Sequence, residues 1–183
     1  MVTLYYIIII KILYMSCEIS GGYIIECRDS VGGIETIWLL EKLKVTPTAV
    51  DGTLTALATT DDQPFWRFEV PRATASATNG ITSSQENGTF FYTHEVSFPV
   101  NSRSATMRNI VTTLAKNRCT FITKEGDGVY RMYGAEFGLT LDSSDAGSGV
   151  ALADRNGYML KFSSQEREDF IVCPFNIISD YLG

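Results

Sequence analysis

The chain has 183 residues, of which 45% are hydrophobic and 20% are charged. These are ordinary globular values, so they exclude disorder over most of the chain and allow one domain with its own core. Lysine and arginine number 15 against 21 acidic residues, which gives a net charge of −6. A general nucleic-acid-binding protein normally carries a basic stripe, and the sequence shows none. Composition thus favours a β-rich scaffold over an enzyme.

The chain starts with an apolar segment. Residues 4–10 are an unbroken apolar run that Lys11 interrupts. A membrane-spanning helix needs about 20 apolar residues, so this run is too short to span a membrane. A secretory signal has a positively charged region before its apolar run, and none precedes this one. We therefore expect residues 1–14 to be an N-terminal extension with no membrane span. The first residue of the protein is then either Met1 or Met15.

Period-two alternation of apolar and polar residues predicts β-strands over most of the chain. The clearest example is Thr89–Val100, a long half-buried strand that has Phe90, Tyr92, His94, Val96 and Phe98 on one face and apolar groups on the other face as well. Further strands are predicted at residues 34–44, more weakly at 53–59, around an apolar face of Trp66, Phe68 and Val70, and at 119–124, 129–133 and 158–163. The glycine-containing turn 125–128 joins two of them into a hairpin.

The segment 101–117 departs from this pattern. It contains no glycine or proline, and Met107, Ile110, Val111 and Leu114 recur at helical spacing. Asn101 or Ser102 is the predicted N-cap. We expect one α-helix, about residues 101–117, that packs on a sheet and turns Arg103, Arg108 and Lys116 toward solvent or a neighbouring chain.

Three segments are predicted to be mobile or to dock. Residues 73–88 are rich in small polar residues and are expected to form a strand followed by a loop. Residues 142–149 are expected to form a flexible loop. Residues 165–183 begin charged and become apolar, so we expect an arm that docks on its own domain or on a neighbouring chain. All three are candidates for segments that become ordered on assembly.

No catalytic, cofactor-binding or metal-ligating set emerges from the sequence. His94 is the single histidine and lies within a strand, where a packed or subunit-facing role is favoured over that of a catalytic base. Asp142 and Asp145 do not have the spacing of an EF-hand, and Glu125 and Asp127 are explained by their turn. We predict that the protein is not an enzyme and needs no cofactor.

The cysteines do not form a zinc pattern, because no pair has C-x-x-C spacing. Cys17 and Cys27 pair only if the chain reverses between them, and free buried thiols at all four positions, including Cys119 and Cys173, are the favoured interpretation. Asn87-Gly88-Thr89 matches a glycosylation sequon, a triplet that also arises by chance.

Five segments, taken in order, resemble small structural tail proteins of tailed bacteriophages, especially those of Bacteroides-type hosts. They are Cys17-Glu18-Ile19, residues 27–35, Leu114-Ala115-Lys116-Asn117-Arg118, residues 134–141, and Asp154-Arg155-Asn156-Gly157 with the strand after it. The resemblance covers about residues 15–164 and is a pattern of turns and strand edges rather than a catalytic signature. The Ile-rich start and the apolar C-terminal segment are not part of it.

The resemblance implies a mainly-β, tail-tube-like β-sandwich or barrel with one flanking helix. It also implies a non-enzymatic virion protein that forms rings, typically hexameric, of a tail tube that conducts DNA without binding it specifically. The implied partners are copies of the chain and other tail proteins, and the implied location is the virion tail, after assembly in the host cytoplasm. The acidic balance agrees with this, because a basic lumen would hold phosphates.

The sequence therefore divides into an extension (1–14), a tail-tube-like β domain (15–164) and a C-terminal arm (165–183). Within the tail class, a hub, a terminator or a neck ring remains an alternative to the tube shaft. A carbohydrate- or surface-binding β-sandwich is the alternative from another class, and an unrecognised hydrolase is a third.

Overall fold

The computed structural model of the chain describes residues 22–23 and 31–183. Strands dominate this part and form two sheets, as a mainly-β prediction requires. The sheets form an open sandwich, so the described residues do not form a closed barrel. The expected extension 1–14 and two of the cysteines, Cys17 and Cys27, lie outside these residues.

The strands divide into a larger and a smaller sheet. Their bounds are β1 Ile34–Glu41, β2 Val45–Val50, β3 Thr53–Thr59, β4 Trp66–Glu69, β5 Ser76–Ser84, β6 Thr89–Val100, β7 Cys119–Glu125, β8 Tyr130–Tyr133, β9 Thr140–Gly147, β10 Gly157–Glu166 and β11 Ile171–Cys173. The larger sheet has the order β2-β3-β11-β8-β7-β1-β4, and the smaller has the order β5-β6-β10-β9. The helices are α1, Ala105–Leu114, and the short α2, Phe175–Ile178.

The main core lies between the two sheets. Phe98 on β6, Phe121 on β7 and Phe162 on β10 are fully buried and contact one another, with ring centroids 4.8–6.3 Å apart. Such aromatic contacts add directional packing to the burial of apolar area. Two residues of α1, Val111 and Leu114, complete this core, as the helical spacing predicts.

A second core lies on the other face of the larger sheet, because β1 and β7 are apolar on both sides. Trp38, Leu40 and Ile122 belong to it, while their sequence neighbours Ile37, Leu39 and Phe121 point into the main core. Residues 171–183, which we call the C-terminal tail, cover this face. β11 enters the sheet between β3 and β8, and Ile178 of α2 is fully buried.

The predicted arm therefore docks on its own domain. The predicted boundary between residues 164 and 165 falls within β10, so the residues after it continue the sandwich. Ile171 on β11 and Ile178 on α2 are both buried in the second core. Burial of apolar side chains on a face that would otherwise meet water is the physical reason for this docking.

The helix is shorter than predicted and starts at a different residue. Ser104, not Asn101 or Ser102, is the N-cap, because its hydroxyl accepts a hydrogen bond from the Met107 backbone N–H at 3.2 Å. The helix ends at Leu114 rather than 117. Both α-helices of the described residues, at ten and four residues, are too short to cross a bilayer.

Two other local predictions were wrong. Most of residues 142–149 belong to β9, which pairs with β10 at the sheet edge and stays exposed. An edge strand of this kind is held by backbone hydrogen bonds, so it needs no apolar side chains. Trp66 was predicted to share an apolar face with Phe68 and Val70, but it is 62% exposed, while its neighbour Phe65 is fully buried. Phe65 is buried because the tail pairs with it, through Tyr181 and Leu182.

Candidate functional site

A cleft of about 510 Å³ opens between the two sheets where β6 and β10 leave the core. We call it the His94 cleft. Its lining includes His94, Glu166, Lys42, Glu136 and Asp169. It holds two buried titratable polar side chains of the described chain, His94 and Glu166, which are 1% and 3% exposed.

His94 is packed rather than poised for proton transfer. Its Nδ1 accepts a hydrogen bond from the Gly134 backbone N–H at 3.3 Å, and its ring meets Tyr133 edge-on. The neutral ring therefore carries its proton on Nε2, which has no hydrogen-bond partner among the described residues. Burial lowers the pKa of His94, and the nearby Glu166 and Asp169 carboxylates only partly oppose this.

Glu166 acts as an anchor for the loop after β8. Its Oε2 accepts hydrogen bonds from the backbone N–H groups of Glu136 and Phe137 at 3.1 and 2.9 Å. Its Oε1 accepts one from the Gly138 backbone N–H at 3.1 Å and one from the Ser164 hydroxyl at 2.9 Å. A carboxylate that accepts several N–H groups is a strong structural element. Gly138, at φ 79°, lets the backbone bend toward it.

The charged groups at the rim of the cleft are largely paired within the cleft itself. Glu136 forms an ion pair with Arg167, and Lys42 donates to the Val45 carbonyl at 2.9 Å. Burial lowers the pKa of Lys42, while Glu166 and Glu136 raise it. In the described structure His94 has no hydroxyl or thiol hydrogen-bond partner. The arrangement thus fixes the loop against β6 and β10, and it does not assemble a nucleophile with a base.

The other acidic residues that the sequence singled out lie apart from this cleft. Glu125 and Asp127 both pair with Arg131, at 2.6 and 2.8 Å, and stabilise the β7–β8 turn as predicted. Arg131 lowers the pKa of Asp127 through this hydrogen bond. Asp142 and Asp145 are on β9, and Asp142 accepts the Ser163 hydroxyl. In residues 22–23 and 31–183 no cluster suited to a metal ion occurs.

The two described cysteines are free and buried, on different strands. Burial raises the pKa of Cys119 and of Cys173 to about 12, so both are protonated at neutral pH. In the sequon, Asn87 and Gly88 lie in the exposed connection between β5 and β6, and Thr89 begins β6.

The β5–β6 hairpin extends beyond the core and exposes apolar side chains. Ile81 pairs with Tyr92, and Phe90 lies one step further along the same face as His94. Ile81 is 65% and Phe90 62% exposed, and the Phe90 and Tyr92 rings contact each other. We call this part of the hairpin, residues 80–91, the overhang. Its apolar face has no cover among the described residues.

A groove of about 760 Å³ runs between α1 and the larger sheet. We call it the α1 groove. Its apolar lining comes chiefly from β1, β4 and α1, with Val100 of β6 and Cys119 of β7, and includes Leu39, Phe68, Met107, Ile110 and the exposed Trp66. The strand at its side, β4, is an edge strand of only four residues. The groove is therefore both apolar and next to a free sheet edge.

The sequence did not single out two of these features. Glu166 was included in a charged run, yet Leu160, Phe162, Ser164 and Glu166 alternate along β10, and this period is the signal that places Glu166 inward. The α1 groove joins β1, β4 and α1, which are far apart in sequence, so no local pattern marks it.

Comparisons of this chain with protein-family models, with curated proteins and with solved structures found no match.

Proposed function

We propose that this protein is a non-enzymatic structural subunit of a phage virion that assembles with copies of itself into rings of a tail tube. The resemblance of its turns and strand edges to tail proteins implies that these rings are hexameric. On this proposal DNA passes through the ring without specific binding. Other tail proteins contact the ring, and the location is the virion tail after assembly in the host cytoplasm.

The observation that carries the proposal is the overhang. Phe90 and Ile81 expose most of their side chains on the same sheet face that buries Val96 and Phe98 a few residues away. A contiguous apolar surface that continues a core face usually marks an interface. A second chain that covers it would extend the core of one subunit onto the next.

The sheet edges support the same conclusion. Both sheets are open, so β2, β4, β5 and β9 each lack a neighbour on one side within the described residues. β2 carries Pro47, which has no N–H to donate, and β4 and β9 carry charged residues. β5 carries neither a proline nor a charged residue, so its edge is the best suited to pair with another chain.

Sedimentation velocity and negative-stain electron microscopy of the purified full chain test the proposal. We expect a concentration-dependent transition from monomer to closed rings. Phe90→Asp should remove it, because the charge is placed in the surface that must be desolvated. Leu152→Asp, at an exposed loop position outside both the overhang and the α1 groove, is the matched control. A chain that remains monomeric at every concentration contradicts the proposal.

Stacking behaviour distinguishes the alternatives within the tail class. A shaft protein polymerises head to tail into tubes, whereas a terminator, hub or neck protein stops after one ring. The same micrographs show which of these occurs.

A carbohydrate-binding module is the second candidate function, and the exposed Trp66 in the α1 groove is the observation that favours it. Aromatic rings on an open groove can stack on sugar faces. Binding to a glycan array that Trp66→Ala removes, in a protein that stays monomeric, would support this candidate over a ring subunit.

A further inference from the structure

We infer that the overhang of one copy packs into the α1 groove of a second copy, so that the contact between subunits is heterologous. This inference rests on the proposed function and adds the two surfaces that meet. The structure offers one apolar protrusion and one apolar recess on the same chain, and neither is covered among the described residues.

The protrusion has the properties of an inserted element. It is a two-stranded hairpin with a four-residue connection, and Ile81, Phe90 and Tyr92 share one face. The Asn79 side chain donates a hydrogen bond to Asp169, and this is where contact between the hairpin and the rest of the chain ends. Beyond this point β10 has reached its last residue, Glu166, opposite Tyr92. The hairpin therefore projects past the sandwich that supports it.

The recess has the complementary properties. Met107 and Ile110 of α1 face Leu39 and Phe68 of the larger sheet across the α1 groove, and Trp66 stands at its side. The groove is bordered by the free edge of β4, and the overhang brings the free edge of β5. A hairpin seated in the groove thus buries apolar groups and places two unpaired sheet edges near each other.

Charge is complementary between the overhang and the segment that carries α1, while the charged residues that line the α1 groove itself, Glu41, Lys44, Arg67 and Glu69, pair with one another. Residues 73–93 contain one charged side chain, Glu86, which lies in the exposed connection at the tip. Residues 101–118 contain four exposed cations, Arg103, Arg108, Lys116 and Arg118, and no acid. None of the four forms an ion pair with the described residues. An acidic tip is attracted to this segment and two basic segments repel each other, so a contact between two helices is disfavoured.

Complementary mutants test the heterologous contact. Phe90→Asp disables the overhang and leaves the α1 groove intact, while Ile110→Asp, at a partly exposed groove position, disables the groove and leaves the overhang intact. Each variant alone should be monomeric. An equimolar mixture should form a 1:1 heterodimer that grows no further, because only one productive contact exists in it. Sedimentation velocity measures all three samples, with Leu152→Asp as the assembling control and circular dichroism as the check of folding.

The outcomes separate this inference from the proposed function. If the wild-type chain forms rings and Ile110→Asp forms them equally well, the groove inference is wrong and the ring proposal stands. If the mixture of variants stays monomeric while both are folded and the wild type assembles, the heterologous pairing is also wrong. If the wild type never assembles, the proposed function itself is contradicted. As a weaker companion test, Glu86→Gln should reduce assembly and make it less sensitive to salt, because it removes the screened attraction.

Discussion

Two apolar surfaces of this protein differ in whether the described residues of the same chain cover them. The outer face of the larger sheet is covered by the chain's own C-terminal tail, which buries Ile178 and inserts β11 as a strand. The face of the overhang, with Phe90 and Ile81, has no cover in the described part of the chain. The chain thus covers one apolar face with its own tail. The exposure of Phe90 and Ile81 is therefore specific to the overhang.

The seal on the first surface is held by polar contacts as well as by burial. The Trp38 Nε1–H donates to the Gly183 carbonyl at 3.3 Å, and the Tyr181 hydroxyl donates to the Leu57 carbonyl at 2.7 Å. Phe65 N–H bonds to Tyr181 O at 2.8 Å. The tail is thus part of the monomer's fold. Substitutions under the tail should therefore destabilise the monomer, whereas substitutions in the overhang should not.

A large effect is expected from a substitution in the tail. Ile178→Ala should lower the free energy of unfolding by about 2–5 kcal/mol, because it leaves a cavity under a fully buried side chain. Urea denaturation at a concentration where the chain is monomeric measures this, and Phe175→Ala, at an exposed position of the same helix, should change little. An equally small loss for Ile178→Ala would mean that the tail is not part of the monomer's core.

Glu166 is the next test, because it holds the loop between the two surfaces. Glu166→Gln should lower the free energy of unfolding by about 1–3 kcal/mol, since three backbone N–H groups lose a charged acceptor. Glu168→Gln, two residues away and exposed, is the matched control and should be near neutral. Equal effects of the two substitutions would contradict the anchoring role.

His94 adds a pH dependence to the covered side of the hairpin. Burial holds its pKa below 6.5 in the folded chain, so on acidification the unfolded chain takes up this proton first. The stability contribution is full above about pH 6.5 and is lost as the pH falls toward the folded pKa. His94 is the single histidine, so unfolding free energies at pH 7 and pH 5 should differ less in His94→Asn than in the wild type. An unchanged difference would contradict the burial of a neutral ring.

The sequence predicted the strands whose apolar and polar side chains alternate. It did not predict features that depend on contacts between residues far apart in the sequence. β6 was predicted with its bounds and its alternation, although Phe90 is exposed on the face that buries Val96 and Phe98, and the β7–β8 hairpin was predicted with its turn. β2 was missed because Pro47 and two threonines hide it, although Asp51-Gly52, with φ 49° and 72°, is a typical hairpin turn. The burial of Phe65 depends on a tail more than 100 residues later, which no local pattern contains.

The site shows the same division. His94 was correctly interpreted as a packed side chain from its place in a strand, and Glu166 lies on a face that alternation would have revealed. The α1 groove was beyond reach, because it forms only when α1 folds beside β1 and β4. The overhang was also hidden, since the alternation of β6 is the same on both sides of His94.

The smallest effect on the monomer is expected at the overhang. Phe90→Ala should change the free energy of unfolding by no more than about 0.5 kcal/mol, because the side chain is 62% exposed and contacts chiefly Tyr92. Phe98→Ala, at the same face of the same strand but fully buried, should lower it by about 3–5 kcal/mol. Both are measured by urea denaturation of the monomer. If Phe90→Ala destabilises the monomer nearly as much as Phe98→Ala, the overhang is covered by its own chain, and the reason to expect a second copy there is removed. If Phe90→Ala leaves the monomer unchanged and weakens ring formation, the apolar face serves contact between chains.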